Sequence, residues 1–143
     1  MKEKRDLSIF IKAQNDEFEK IKNALIEKKK ISNQICYVFP ILKGIETSIM
    51  SNFYGLNNLD EAKEYYKNIF LRKNIKELVK IILSYDKNTS LRTVFSYTDL
   101  QRFYSSMTLF YLATKEKVFK QAIWRYFYGI LDDYTIQNLK NML

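Results

Sequence analysis

Histidine is missing altogether from this 143-residue chain, which also has one cysteine, one proline and three glycines. Each shortage excludes something. Without imidazole there is no His-based general acid–base step, no Ser-His-Asp or Cys-His nucleophile pair, and no ordinary zinc site. One thiol, Cys36, cannot form an internal disulfide and fits a reducing compartment. So few Gly and Pro argue against an all-β fold, which needs many tight turns, and for helices joined by short polar loops. Apolar runs are short too. The longest, Ile35 to Leu42, is far below the ~20 residues that span a bilayer. The charged opening Met1-Lys2-Glu3-Lys4-Arg5-Asp6 is followed by no signal-type apolar stretch. The expectation is a soluble cytoplasmic protein with no membrane partner.

What is abundant is apolar and aromatic surface: 47% hydrophobic residues, with eleven Tyr and ten Phe. That composition excludes disorder, and the length fits one domain over residues 1–143 with a real core. The formal charge of +8 favours anionic partners. The lysines are scattered, however, and Lys28-Lys29-Lys30, the one true basic run, suits a solvated helix end. Nucleic-acid binding stays open without being favoured.

Taken in order, Leu7, Phe10 and Ile11 form a short apolar face that Asn15-Asp16 interrupts. Phe18, Ile21, Ala24 and Leu25 then resume it, which predicts a second helix ending near Lys30. Ile35 to Phe39 is continuous and β-prone, and Pro40 biases Phe39 toward extended geometry. One short extended segment near residues 35–39 is therefore allowed, although a buried helical turn fits the pattern equally. Asn58 or Leu59 opens a helix with Asp60 and Glu61 in its first turn, and a break falls near Asn68. Leu71, Ile75, Leu78, Ile82 and Tyr85 then make the best amphipathic stripe in the chain. Thr89 or Ser90 can cap a short helix through Phe95, Thr114 caps a helix carrying Phe119 to Tyr126, and Gly129 suits its C-terminal cap. Asp132 or Asp133 caps the last helix. The fold class is all-α, a compact bundle with orthogonally packed helices.

The chain is organised around Ser105-Ser106-Met107-Thr108-Leu109-Phe110-Tyr111-Leu112-Ala113-Thr114, which carries no charge. Thr98 with Gln101 fits a capping box ahead of it, predicting a helix over Thr98–Ala113. Leu100, Phe103, Tyr104, Met107 and Tyr111 share one face, and Leu109 falls on the opposite one. A helix apolar on two sides belongs in the interior. Asp99, Arg102 and Ser106 run along one flank, and Gln101, Ser105 and Thr108 along the other. Their polar groups either bond inside the helix or face a ligand.

These blocks resemble the bacterial family known as domain of unknown function 1810, sometimes mislabelled calpastatin, over about residues 6–139. The likeness rests on Leu7 and Ala13-Gln14, on Val38-Phe39-Pro40 with Leu42 and Gly44, and on Tyr54-Gly55, Leu59-Asp60-Glu61-Ala62 and Tyr65. Asp99, the block Ser105 to Phe110, then Phe119, Phe127, Gly129, Asp132 and Thr135 complete it. The resemblance implies a mainly helical domain and supplies no activity. Relatives typically read His-Trp-x-Trp-Phe-x-Phe-Pro-Gln where this chain has Asn33-Gln34-Ile35-Cys36-Tyr37-Val38-Phe39-Pro40-Ile41. Arg102 stands for a family Lys and Asn74 for a family Arg.

Candidate chemistry is correspondingly thin. Cys36 sits in an apolar run and is expected to be buried and inert. Asp132-Asp133 could pair as acid and base or simply cap a helix, and Asp99 with Arg102 is either an ion pair or a support for an anion-binding guanidinium. Clustered tyrosines could stack bases but at helical spacing suit a core. No cofactor or metal is implied. The expected role is a non-catalytic binding protein for a protein partner or an anionic small ligand, at Arg102, Ser105, Ser106, Thr108, Asp99, Asn33 and Asp132. The alternatives are a His-free enzyme on a nucleotide-like substrate with Asp99 or Asp132 as acid–base, and a nucleic-acid binder.

Overall fold

In the computed structural model, residues 4–143 are described, and among them the regular structure is helical. The first helix, α1 (Ser8–Ile26), runs unbroken through Asn15-Asp16, so the predicted pair of N-terminal helices is one. Asn15 and Asp16 lie on its solvent side, where their lower propensity costs only a few tenths of a kcal/mol. The opposite side is fixed by Phe10, Gln14, Ile21 and Leu25, all buried. Lys28 takes a left-handed φ of 57° and ends the helix, two residues before Lys30.

The β-prone run is not a strand. Ile35–Val38 forms a single helical turn, α2, entirely buried, and only Phe39 before the proline leaves helical geometry. Among the described residues no neighbouring strand offers a ladder there, and the turn satisfies its own amides instead. The extended piece lies just beyond, at an isolated parallel bridge between Leu42 and Leu56.

Side-chain caps then punctuate the chain. Ser48 caps α3 (Ile49–Tyr54), Asn58 caps α4 (Leu59–Lys67) and Asn68 caps α5 (Ile69–Leu83), each accepting from an amide three residues on. Leu71, Ile75, Leu78 and Ile82 of α5 are buried as their spacing predicts. Ser90 caps one tight helical turn at Leu91–Thr93.

The central helix, α6, spans Tyr97–Thr114. Its cap is Ser96, which accepts from Asp99 N, and Thr98 is exposed. From Asp99 to Thr114 no residue is exposed, and α2, α4, α7 and α8 all pack against it. Only part of the predicted apolar stripe is deep: Phe103 and Met107 are fully buried, while Leu100, Tyr104 and Tyr111 are half-buried. Asp99, Ser106 and Phe110 face inward beside Phe103, which packs edge-on to Phe39 at 5.1 Å.

Thr114 ends α6 rather than capping the next helix: its hydroxyl donates to Phe110 O and accepts from Glu116 N. Lys115 turns left-handed, and α7 (Lys117–Phe127) begins without a side-chain cap. Tyr128 and Gly129 both have positive φ, and a Cβ on Gly129 would come within 2.9 Å of the Trp124 ring, so only glycine fits. Asp132 then caps α8 (Asp133–Asn141).

Candidate functional site

The two polar flanks of α6 lead to two different places. On one, Arg102 holds Glu46 in a two-pronged grip, Nε to Oε2 at 2.8 Å and Nη2 to Oε1 at 2.7 Å. Its third nitrogen, Nη1, donates to Asp99 Oδ1 at 2.7 Å. Ser48 and Ser51 hydroxyls also donate to Glu46 Oε1. Burial pushes the Glu46 carboxyl up, but hydrogen bonds from Arg102, Ser51 and Ser48 outweigh it and hold the group below its ordinary value. Two carboxylates therefore offset the guanidinium charge and take a bond from each of its nitrogens, which leaves it poorly suited to seize an external anion.

Arg102 also reaches the 33–41 segment. With Cys36, Phe39, Ile41, Ser51 and Gly55 it lines a recess with room for about one water molecule. Burial raises the Cys36 thiol, only partly opposed by the Arg102 charge and the nearby Ser51 hydroxyl, so the thiolate that nucleophilic chemistry needs is disfavoured. Asn33 is exposed in the turn before α2, its carbonyl accepting from Cys36 N.

On the other flank the partner is the start of α8. Asp132, 2% exposed, accepts from Ser105 Oγ (2.6 Å), Gln101 Nε2 (3.0 Å), Thr135 Oγ1 (2.7 Å) and Thr135 N (3.2 Å). Its own amide donates to Thr108 Oγ1 at 2.9 Å. No cation pairs with Asp132 among the described residues, so these donors and the α8 dipole carry its charge. Ser105, Thr108 and Asp132 thus come together, but away from the Arg102 recess. Ser106, on the Arg102 flank and fully buried, has a hydroxyl without a hydrogen-bond partner among the described residues.

Sequence reasoning passed over three features. Glu46 is a lone acid in a loop with no periodicity to mark it. Gln14, Asn74 and Tyr65 form a second buried network: Gln14 donates to Tyr37 O and Tyr65 Oη and accepts from Asn74 Nδ2. The third is a basic face. Arg72, Lys73, Lys76 and Lys80 project along one side of α5 and line an open groove with Ile69 and Ile81. Their spacing of one, three and four residues was the available signal.

Among the described residues no helix is long and apolar enough to cross a membrane, and no cluster of three metal-ligating side chains occurs.

The comparisons agree with this architecture. A crystal structure of the conserved hypothetical protein Rv1873 from Mycobacterium tuberculosis is similar, with a TM-score of 0.90 and 28% identity. That likeness covers 94% of this chain and 96% of the other. No curated protein matches the chain. The family described as "Protein of unknown function (DUF1810)" matches residues 4–139, and since that is nearly the full length, the chain belongs to it.

Proposed function

We propose that the protein is a non-catalytic binding protein for an anionic small ligand, received on the basic side of α5. The observation that carries this is the α5 groove itself. Arg72, Lys73, Lys76 and Lys80 line it against one acid, Glu77, which is held by Lys22 at 2.6 Å. Cations gathered over low-dielectric walls concentrate anions far more than the same charges scattered. The groups an enzyme would need are occupied. Asp132 accepts four hydrogen bonds and Asp99 is bound by Arg102, so neither offers an available proton acceptor to a substrate.

Calorimetric titration with inorganic tripolyphosphate at low salt tests the reading. Lys73 and Lys80 are exposed, so the double variant Lys73→Glu/Lys80→Glu should keep its melting temperature while weakening binding about tenfold or more. Absence of tripolyphosphate binding by the native protein would overturn the proposal. So would retention of duplex DNA without tripolyphosphate binding, which would favour a nucleic-acid binder.

A further inference from the structure

Beside the α5 groove lies a second recess, bordered by α4, the start of α5 and the α6–α7 turn. Lys63, Tyr66, Arg72, Lys76, Thr114 and Glu116 line it, and Arg72 and Lys76 belong to both concavities. Two features set it apart from an ordinary basic surface. Lys63, Arg72 and Lys76 form no ion pair among the described residues, whereas Lys67 nearby is held by Glu64 at 3.2 Å. Tyr66 is only 7% exposed, yet its hydroxyl has no hydrogen-bond partner among the described residues. Buried hydroxyls are normally paired, and one that is not calls for an explanation.

The ring cannot swing away to find water. It packs edge-on to Phe119 at 5.6 Å and beside Phe110 at 6.5 Å. Burial, then the Glu116 carboxylate, push the phenol up to about 12, so at neutral pH it keeps its proton and is a donor. Glu116 comes close enough to act on the hydroxyl as an acceptor but falls outside full hydrogen-bond geometry, is itself exposed, and follows Lys115 with its left-handed φ. It is also the cap residue of α7, whose first turn no side chain satisfies.

We propose that this recess is a phosphate-type oxyanion site, in which the phosphoryl group of a small phosphorylated ligand displaces the Glu116 carboxylate and accepts a hydrogen bond from Tyr66. Arg72, Lys63 and Lys76 supply the opposing charge, with Arg72 suited to a two-pronged contact. The uncapped end of α7 adds its dipole. Glu116 is then a weak internal stand-in for the ligand, a like charge that must move aside. The inference rests on the binding reading above but assigns it a particular cavity and ligand chemistry.

The probe is inorganic phosphate, followed by calorimetry and by backbone amide shifts of Glu116 to Phe119. Tyr66→Phe removes only the unpaired hydroxyl, so folding should persist while phosphate affinity falls about tenfold, the value of a hydrogen bond to a charged group. Glu116→Gln should tighten phosphate about threefold by removing a like charge, and it serves as an independent test if the Tyr66 variant folds poorly. Lys87→Glu, an exposed charge in the loop after α5 that lines neither concavity, should leave phosphate affinity within about twofold. Unchanged affinity in Tyr66→Phe and Glu116→Gln would overturn the site. If the native protein binds tripolyphosphate but not phosphate, the site fails and the broader reading stands.

Discussion

Arg102 is the residue whose role geometry defines most sharply. Its three nitrogens serve two carboxylates, and Asp99 is 5% exposed, so removing the guanidinium strands buried negative charge. Arg102→Ala should therefore cost about 3 kcal/mol, read from the urea midpoint. Arg102→Lys should recover only part of it, because a point charge cannot span both acids. The pH dependence has a defined sign. Glu46 is depressed in the folded protein, so its contribution is present above the unfolded pKa and lost as pH falls through the folded one. Without Arg102 that depression shrinks, and acid unfolding should begin at higher pH. Ser106→Ala should do the opposite, leaving stability equal or better, because it deletes an unpaired buried hydroxyl. If Arg102→Ala leaves the urea midpoint unchanged, the structural assignment of Arg102 is wrong. Of this cluster the sequence disclosed Asp99 with Arg102, three residues apart on one helix. It could not disclose Glu46, which is 56 residues away from Arg102 in a loop.

Among the elements, α8 depends heavily on polar contacts. Thr135 is its one buried residue, so little apolar area holds it. The Asp132 network is what joins it to Gln101, Ser105 and Thr108 of α6. Asp132→Asn keeps a capping oxygen but loses charge and an acceptor, and should cost about 2 kcal/mol. Hydrogen exchange should show α8 amides losing protection before those of α5. Uniform loss across all helices would contradict a local latch. Sequence reading placed the cap at Asp132 or Asp133, and the buried one is used. It misplaced the start of α6 because Ser96 and Thr98 are both good caps. Leu100 N donates to Ser96 O, so the helical ladder begins there, and Thr98 falls on the solvent side. It also split α1 at Asn15-Asp16, because propensity could not anticipate that Gln14 would be tied to Tyr37 and Tyr65 across the core.

At the scale of the whole molecule the helical class was legible from composition, since few turn residues and long-period stripes leave little else. The basic side was passed over although Arg72, Lys73, Lys76 and Lys80 are close neighbours on α5, and only Lys63 joins them through the packing of α4 against α5. The aromatic content has a consequence of its own for stability. Burial pushes Tyr37, Tyr66 and Tyr85 up to about 12, and Tyr65, fully buried, is raised further despite its bond from Gln14. An unfolded tyrosine ionises near ~10. A group raised in the folded state contributes stability that is complete below the unfolded pKa and disappears as pH climbs through the folded one. The urea midpoint should accordingly show no tyrosine-linked change from neutrality to about pH 9, then fall steeply through about pH 12 as the unfolded chain sheds phenolic protons that the core retains. Tyrosinate absorbance should rise together with loss of helical circular dichroism, since four of the eleven phenols ionise readily only after the core opens. Tyr65→Phe sharpens the test. It should lower stability at neutral pH, because Gln14 and the Tyr37 carbonyl lose a partner, and it should flatten the alkaline slope by removing one linked ionisation. Complete and reversible ionisation of every tyrosine while the helical signal stays intact would show that the phenols are not sealed in the core.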